Sequence, residues 1–204
     1  MYDSLGDRQR ALGYYEQALV IHREVGDRVG EAATLNNTGA AQHGLGNLRQ
    51  ALEYYEQALI IRRQFRDRVG EAVTLNNIGN AYDGLGDRQR ALGYYEQALV
   101  IHREVGDRVG EAATLVYDGL GDRRRALVFL EEALPIRREV GDRAGEAVTR
   151  YKFAMVHRAE GDLDKAIGEL ELVVELDRQV EHPDLASDTA MLEQVRQERA
   201  AAQK

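Results

Sequence analysis

The sequence predicts an all-helical, right-handed solenoid of antiparallel helix pairs, closed at its C-terminal end by a capping helix. Three observations carry that expectation. The pair Gly-Asp, once Gly-Asn, recurs at Gly6, Gly46, Gly86, Gly121 and Gly161, at steps of 40, 40, 35 and 40 residues. A second marker, Asp-Arg-x-Gly-Glu, recurs at Asp27, Asp67, Asp107 and Asp142. No segment sustains the alternation of apolar and polar residues that a strand needs. A fixed period of this length signals a repeat architecture, in which each unit buries its apolar face only against its neighbours. Residues 5–35 and 85–115 are identical over 31 positions, so the array arose by recent internal duplication or by design.

The elements follow in order. Residues 1–26 read as a partial first repeat, because Met1 to Asp7 align with Ala81 to Asp87, the tail of a first helix. Asp7 is the expected N-cap of a helix over 7–25. Within it Ala11, Tyr15, Ala18, His22 and Val25 form a helical stripe that Leu12 and Leu19 widen. Gly26 stops that helix and Asp27 caps the next. Repeats then occupy 27–66, 67–106, a shortened 107–141, and 142–181. The stretch 69–86 shows a first helix in full, with Val73, Leu75, Ile78, Gly79 and Tyr82 at helical spacing before it ends at Gly84 and Gly86. Pro135 stands where the other repeats carry Val20 and Val100, removing one backbone bond, and predicts a kink. In the shortened repeat, EAATL at 111–115 runs directly into VYDGLGD, with five residues missing relative to 71–87. That is about 7.5 Å of helix and about 140° of phase, so Leu115 and Tyr117 cannot share a face as Leu75 and Tyr82 do. A short helix near 109–118 is expected. Residues 182–204 read as the capping helix, with Pro183 in its first turn and Leu185, Thr189, Leu192 and Val195 as its apolar stripe. Nothing in the composition separates these parts, so 1–204 reads as one domain.

Composition narrows the function classes. The chain of 204 residues is 44% hydrophobic and 30% charged, which excludes both a disordered polymer and a membrane-embedded one. No apolar leader precedes MYDSLGDRQR, so a cytoplasmic location is expected. The net charge of −8 argues against nucleic-acid binding, as does the want of stacking aromatics on the expected groove. Absence of Cys removes disulfides, thiolate metal sites and a cysteine nucleophile. His22 and His102 fall inside an apolar stripe and read as packed rather than ligating, and His43, His157 and His182 lack metal-ligand spacing. Gly84-Leu-Gly86-Asp87 lacks the Gly-Lys-Ser/Thr of a phosphate loop. Glu residues read as capping or surface groups, and no carboxylate pair or Ser/His/Asp set breaks the periodicity. No catalytic residue, metal or cofactor is expected.

The periodic positions resemble the tetratricopeptide repeat. Its first helix is matched by Leu75, Ile78-Gly79 and Tyr82, and its second by Ala91, Tyr95 and Ala98. The match repeats at Leu35, Thr38-Gly39 and Gln42 with Ala51, Tyr55 and Ala58, and weakens at Arg150, Phe153-Ala154 and His157. The period of 40 is most similar to the long repeats of kinesin light chains and related bacterial signalling proteins. In such proteins the first helices line a concave face, and the resemblance implies that Asn36, Asn76 and Asn80 hold ligand backbone there. Asn37, Asn77 and Asp83 stand beside them. Asn suits this role because one side chain both donates and accepts. The alternative is that paired Asn residues bond between neighbouring helices. In the last repeat Tyr151 lies on the same stripe, and Arg150, Lys152 and Arg158 form a small basic cluster that reads either as a receiver for an acidic side chain or a terminal carboxylate, or as a solvated helix face with i,i+4 pairing.

The leading functional expectation is a non-catalytic scaffold that binds a protein or peptide segment in its groove. The competing expectations are the sensor or regulatory end of a larger signalling ATPase, and a self-assembling structural unit. The opening helix, short of a partner, should expose Leu12, Tyr15 and Leu19 and favour a homodimer through that end.

Overall fold

A computed structural model of the chain describes residues 3–118 and 123–202. Among them are ten α-helices and no strand: α1 (Asp3–Val25), α2 (Arg28–Gly44), α3 (Leu48–Gln64), α4 (Arg68–Gly84), α5 (Arg88–Val105), α6 (Arg108–Asp118), α7 (Arg123–Glu139), α8 (Arg143–Glu160), α9 (Leu163–Val180) and α10 (Leu185–Ala202). The fold is the expected all-α stack of antiparallel pairs with a C-terminal cap. None of these helices is long and apolar enough to cross a membrane. The chain divides into two compact units, Met1–Gly110 and Glu111–Lys204, with the division inside the shortened repeat.

The turns follow directly from the repeated Gly-Asp. Gly26, Gly46, Gly86, Gly106, Gly141 and Gly161 all have φ between +70° and +83°, a region open to glycine without penalty. The following Asp then caps the next helix. Asp27 Oδ1 accepts from the Gly30 amide at 2.9 Å, and Asp67, Asp107 and Asp142 repeat the bond at 2.9, 2.9 and 2.8 Å. Two turns break the rule: Arg66 and Glu181 hold φ of +55° and +51° without being glycine.

Asp7 does not behave as its counterparts do. α1 begins at Asp3 and runs through Gly6 and Asp7 without a cap, because no turn precedes it there. Pro183 also lies outside the expected place, in the turn two residues ahead of α10. Pro135 is accommodated inside α7 on its exposed face, and the helix continues to Glu139. Among the described residues α6 has 11 against 17 in α2 and α4, so this helix is short, as expected. The side chain of Tyr117 and the turn that follows lie outside the described residues.

In the first unit the helices pack in chain order from α1 to α5, and α2 also lies beside α4. Ala51, Tyr55, Ala72, Leu75, Ile78 and Ile101 share one core cluster. Gly79 is what admits Tyr95: a Cβ there would stand 2.4 Å from the ring, and at Gly39 the same holds for Tyr55 at 2.6 Å. In the second unit α10 seals α9 through Leu192 and Val195, packed with Ile167, Leu170 and Val174.

The Glu of each Asp-Arg-x-Gly-Glu marker is a correction to its expected surface role. Glu31, Glu71, Glu111 and Glu146 are all buried. Arg63 Nε and Arg68 Nη1 donate to the two oxygens of Glu71 at 2.8 and 2.7 Å. Arg23 and Arg28 grip Glu31 in the same way, and Arg138 and Arg143 grip Glu146. Burial pushes the Glu71 carboxyl up, but the two arginine hydrogen bonds outweigh it and hold the group below its ordinary 4.5.

Candidate functional site

Two places gather the polar side chains singled out in the sequence. The first is the face shared by α2 and α4. Their outward stripes run through Ala33, Asn37 and Ala40 on α2 and Val73, Asn77 and Asn80 on α4. Ala33, Asn37, Ala40 and Val73 are exposed, and Asn77 and Asn80 are half-buried.

The asparagines divide by partner. Asn36 is buried, and its Oδ1 accepts from Thr74 Oγ1 at 3.3 Å and from Asn77 Nδ2 at 3.1 Å. It ties α2 to α4, the bond between neighbouring helices that stood as the alternative role for the asparagines. Asn77 shares that bond and is half-buried. Asn37 is exposed. Asn80 Oδ1 accepts from the Tyr95 hydroxyl at 2.8 Å, which fixes the amide and directs its N–H groups outward from that bond. Asn76 Nδ2 lies 3.4 Å from His102 Nε2, and Asp83 is half-buried one turn beyond Asn80.

His102 is packed, as its place in the stripe predicts, at 1% exposure. Its Nδ1 stands 2.8 Å from Asp107 Oδ2 without meeting hydrogen-bond geometry. The same latch between one helix and the cap of the next joins His22 to Asp27 at 2.9 Å and Arg62 to Asp67 at 4.0 Å, and Arg137 to Asp142. Sequence periodicity held this signal at steps of 40, 40 and 35, but the pairing needs the geometry of the turn.

The second place is a cavity of about 330 Å³ between α8, the α9–α10 turn and α10, where Tyr151 and Lys152 meet Asp177, His182 and Asp188. The basic cluster expected here is not assembled. Arg150 is buried and donates to Glu146 and Glu169. Arg158 forms a two-pronged pair with Glu198 of α10, its Nε donating at 2.9 Å, and so fastens the cap. Of that cluster Lys152 alone reaches the cavity, whose other charged groups are acidic. Sequence reasoning did not single out Asp177 or Asp188. The available signal was the place of Asp177 in the latch series His22, Arg62, His102, Arg137. Among the described residues no three His, Cys, Asp or Glu are placed to share a metal ion.

Of the face expected to expose Leu12, Tyr15 and Leu19, Leu19 is in the core with Ala32, Leu35, Ala58 and Ile61. It packs on α2 and α3 rather than opening outward. Leu12 and Tyr15 are half-buried.

Comparison with known proteins agrees with this construction. The tetratricopeptide repeat family matches residues 1–64 and 42–104, together half of the chain, and the chain belongs to that family. No curated protein matches it in sequence. Among solved structures it is similar to BtubC (BKLC) from P. vanneervenii, with a TM-score of 0.75 at 18% identity over 95% of this chain and 82% of that one. A kinesin-light-chain-type protein of Podosopora anserina with nearly identical TPR-like repeats gives 0.64 at 18% identity, over 86% and 89%. A Rap protein complexed with Competence and Sporulation Factor gives 0.68 at 17% identity, over 98% of this chain and 62% of that one. These likenesses show the fold.

Proposed function

We propose that the chain is a non-catalytic interaction module that takes an extended peptide segment across the α2–α4 face. The observation that carries this is Asn80, half-buried on the outward stripe and fixed by the Tyr95 hydroxyl at 2.8 Å. An amide already fixed by a hydrogen bond can bond a peptide backbone without losing further rotamer freedom, which lowers the cost of binding. Asn37 on α2 and Asn77 on α4 extend the same row, while Ala33, Ala40 and Val73 supply the apolar contact between them. Membership of a repeat family and likeness to a Rap protein complexed with Competence and Sporulation Factor support the reading.

The test is to pan a random-peptide display library with the full chain and measure the enriched peptides against the Asn37→Ala, Asn80→Ala double variant. The expected loss is at least tenfold in affinity with an unchanged melting temperature. Equal affinity for the variant and the wild type refutes the reading.

A further inference from the structure

The latch that joins each helix to the next cap is reversed once. At positions 22, 62, 102 and 137 a His or Arg faces the capping Asp at 27, 67, 107 and 142. One period later Asp177 takes the cation's place and His182 takes the place of the cap. The swap puts a carboxylate where the other repeats bury a cation or an imidazole, and Asp177 is only 1% exposed. Its Oδ2 is buried and meets no hydrogen-bond donor, and the residue lines the cavity between α8 and α10.

His182 stands beyond hydrogen-bond reach of it. The imidazole Nδ1 accepts the Asp184 amide at 3.3 Å and stands 3.9 Å from Asp177 Oδ1 and 3.8 Å from Asp184 Oδ2. The remaining groups facing Asp177 are Asp188 and Asp184, of its own sign, with Tyr151 and Lys152 across the cavity on α8. Three carboxylates thus face one lysine. A buried carboxylate that the fold leaves unpaired is costly unless a proton or a cation is supplied. The proton is available from Asp188, which burial and the neighbouring Asp177 push up to about 6.

We propose that this cavity is a recognition site for an arginine side chain of a partner polypeptide, with Asp177 and Asp188 receiving the guanidinium. A planar fork of donors suits two adjacent carboxylates better than a point charge does, and the Tyr151 ring offers the aromatic surface on which guanidinium stacks. A metal ion fits less well, since no three ligating side chains of the described residues converge. At 330 Å³ the cavity has room for the guanidinium and its alkyl stem, the latter against Ala147 and Val148. Binding displaces the proton of Asp188, so affinity falls as acidity rises. The site stands apart from the α2–α4 face and does not depend on the reading given for it.

The test is an NMR titration of the full ¹⁵N-labelled chain with N-acetyl-L-arginine methylamide, following the amides of 177–188. Saturating shifts confined to Asp177, His182, Ser187 and Asp188 are expected at pH 7.5. A site pKa of about 6 gives an affinity about tenfold weaker at pH 5. The citrulline analogue, isosteric and uncharged, should not saturate. Asp188→Asn should weaken the arginine probe at least tenfold, and Asp177→Asn likewise if it folds. Asn80→Ala should leave the titration unchanged, which separates this site from the groove. Equal binding of citrulline, unaltered binding by Asp188→Asn, or saturation of the same amides by calcium chloride in place of the arginine probe overturns the proposal.

Discussion

Arg66 is the residue at which the repeat departs most sharply from its own rule. Its counterparts Gly26, Gly106 and Gly141 take the left-handed conformation freely, whereas Arg66 holds φ of +55° with a side chain attached. A non-glycine residue there costs about 1–2 kcal/mol, partly offset by the greater entropy glycine has when unfolded. Arg66→Gly should therefore stabilise the chain by about 0.5–1 kcal/mol in urea denaturation. Gly79 carries the opposite lesson. Its Cβ would stand 2.4 Å from Tyr95, so Gly79→Ala should overpack the core and cost about 1–3 kcal/mol. Glu71 adds a pH dependence. Its pKa is lowered by folding, so the stability it contributes is fully present above its ordinary 4.5 and disappears as pH falls through the lower folded value. Glu71→Gln should cost about 1–2 kcal/mol at pH 7, a discounted figure because Arg63 and Arg68 are half exposed. The gap between variant and wild type should narrow below pH 4. The turn residues were legible as repeated letters. The burial of Glu71 was not, because it follows from an arginine eight positions upstream reaching back across the turn.

The helix scale separates what a sequence fixes from what a neighbour supplies. Residues 8–25 of α1 and 88–105 of α5 are identical, and both are helical throughout. Their burial differs. Ile101 is 4% exposed and Ile61 of α3 is 5%, while Ile21 of α1 is 57% exposed. Tyr95 is fully buried and Tyr15 half-buried. Periodicity reads the stripe correctly in all three helices but cannot say which side has a partner, since α5 has α4 before it and α1 has no described helix there. Ile101→Ala and Ile61→Ala should each cost about 2–5 kcal/mol, the range for a deleted buried side chain. Ile21→Ala should cost less than about 0.5 kcal/mol. Denaturation midpoints of the three variants at one protein concentration check the contrast. A comparable loss at Ile21 that grows on dilution would show that α1 is covered by a second copy.

At the scale of the whole chain, the period of 40 made the class of fold and nearly every helix legible, because a repeat states the same local rule several times. The candidate sites were less legible for the same reason. Asn36 bonds across to Thr74 and Asn77, a pairing between helices that its letter in the repeat does not state. Asp177 was hidden because it departs from the series by one reversed charge rather than by a new motif. The single interruption of period is the five-residue loss after Leu115, and the division between the two compact units falls within that repeat, at Gly110. In a linear array each repeat stabilises only its neighbours, so cooperativity along the chain depends on every junction being intact. Inserting Asn-Asn-Ile-Gly-Asn after Leu115 restores the spacing of 71–87 and returns the residues after the insertion to the 3.6-residue phase of an unbroken first helix. It also supplies the isoleucine that, as Ile78, is fully buried in the intact unit. Scanning calorimetry should then show a higher melting temperature and a narrower transition than the wild type. A lower temperature, or a broader transition, would show that the shortened α6 is matched to its surroundings in a way that the regular repeat is not.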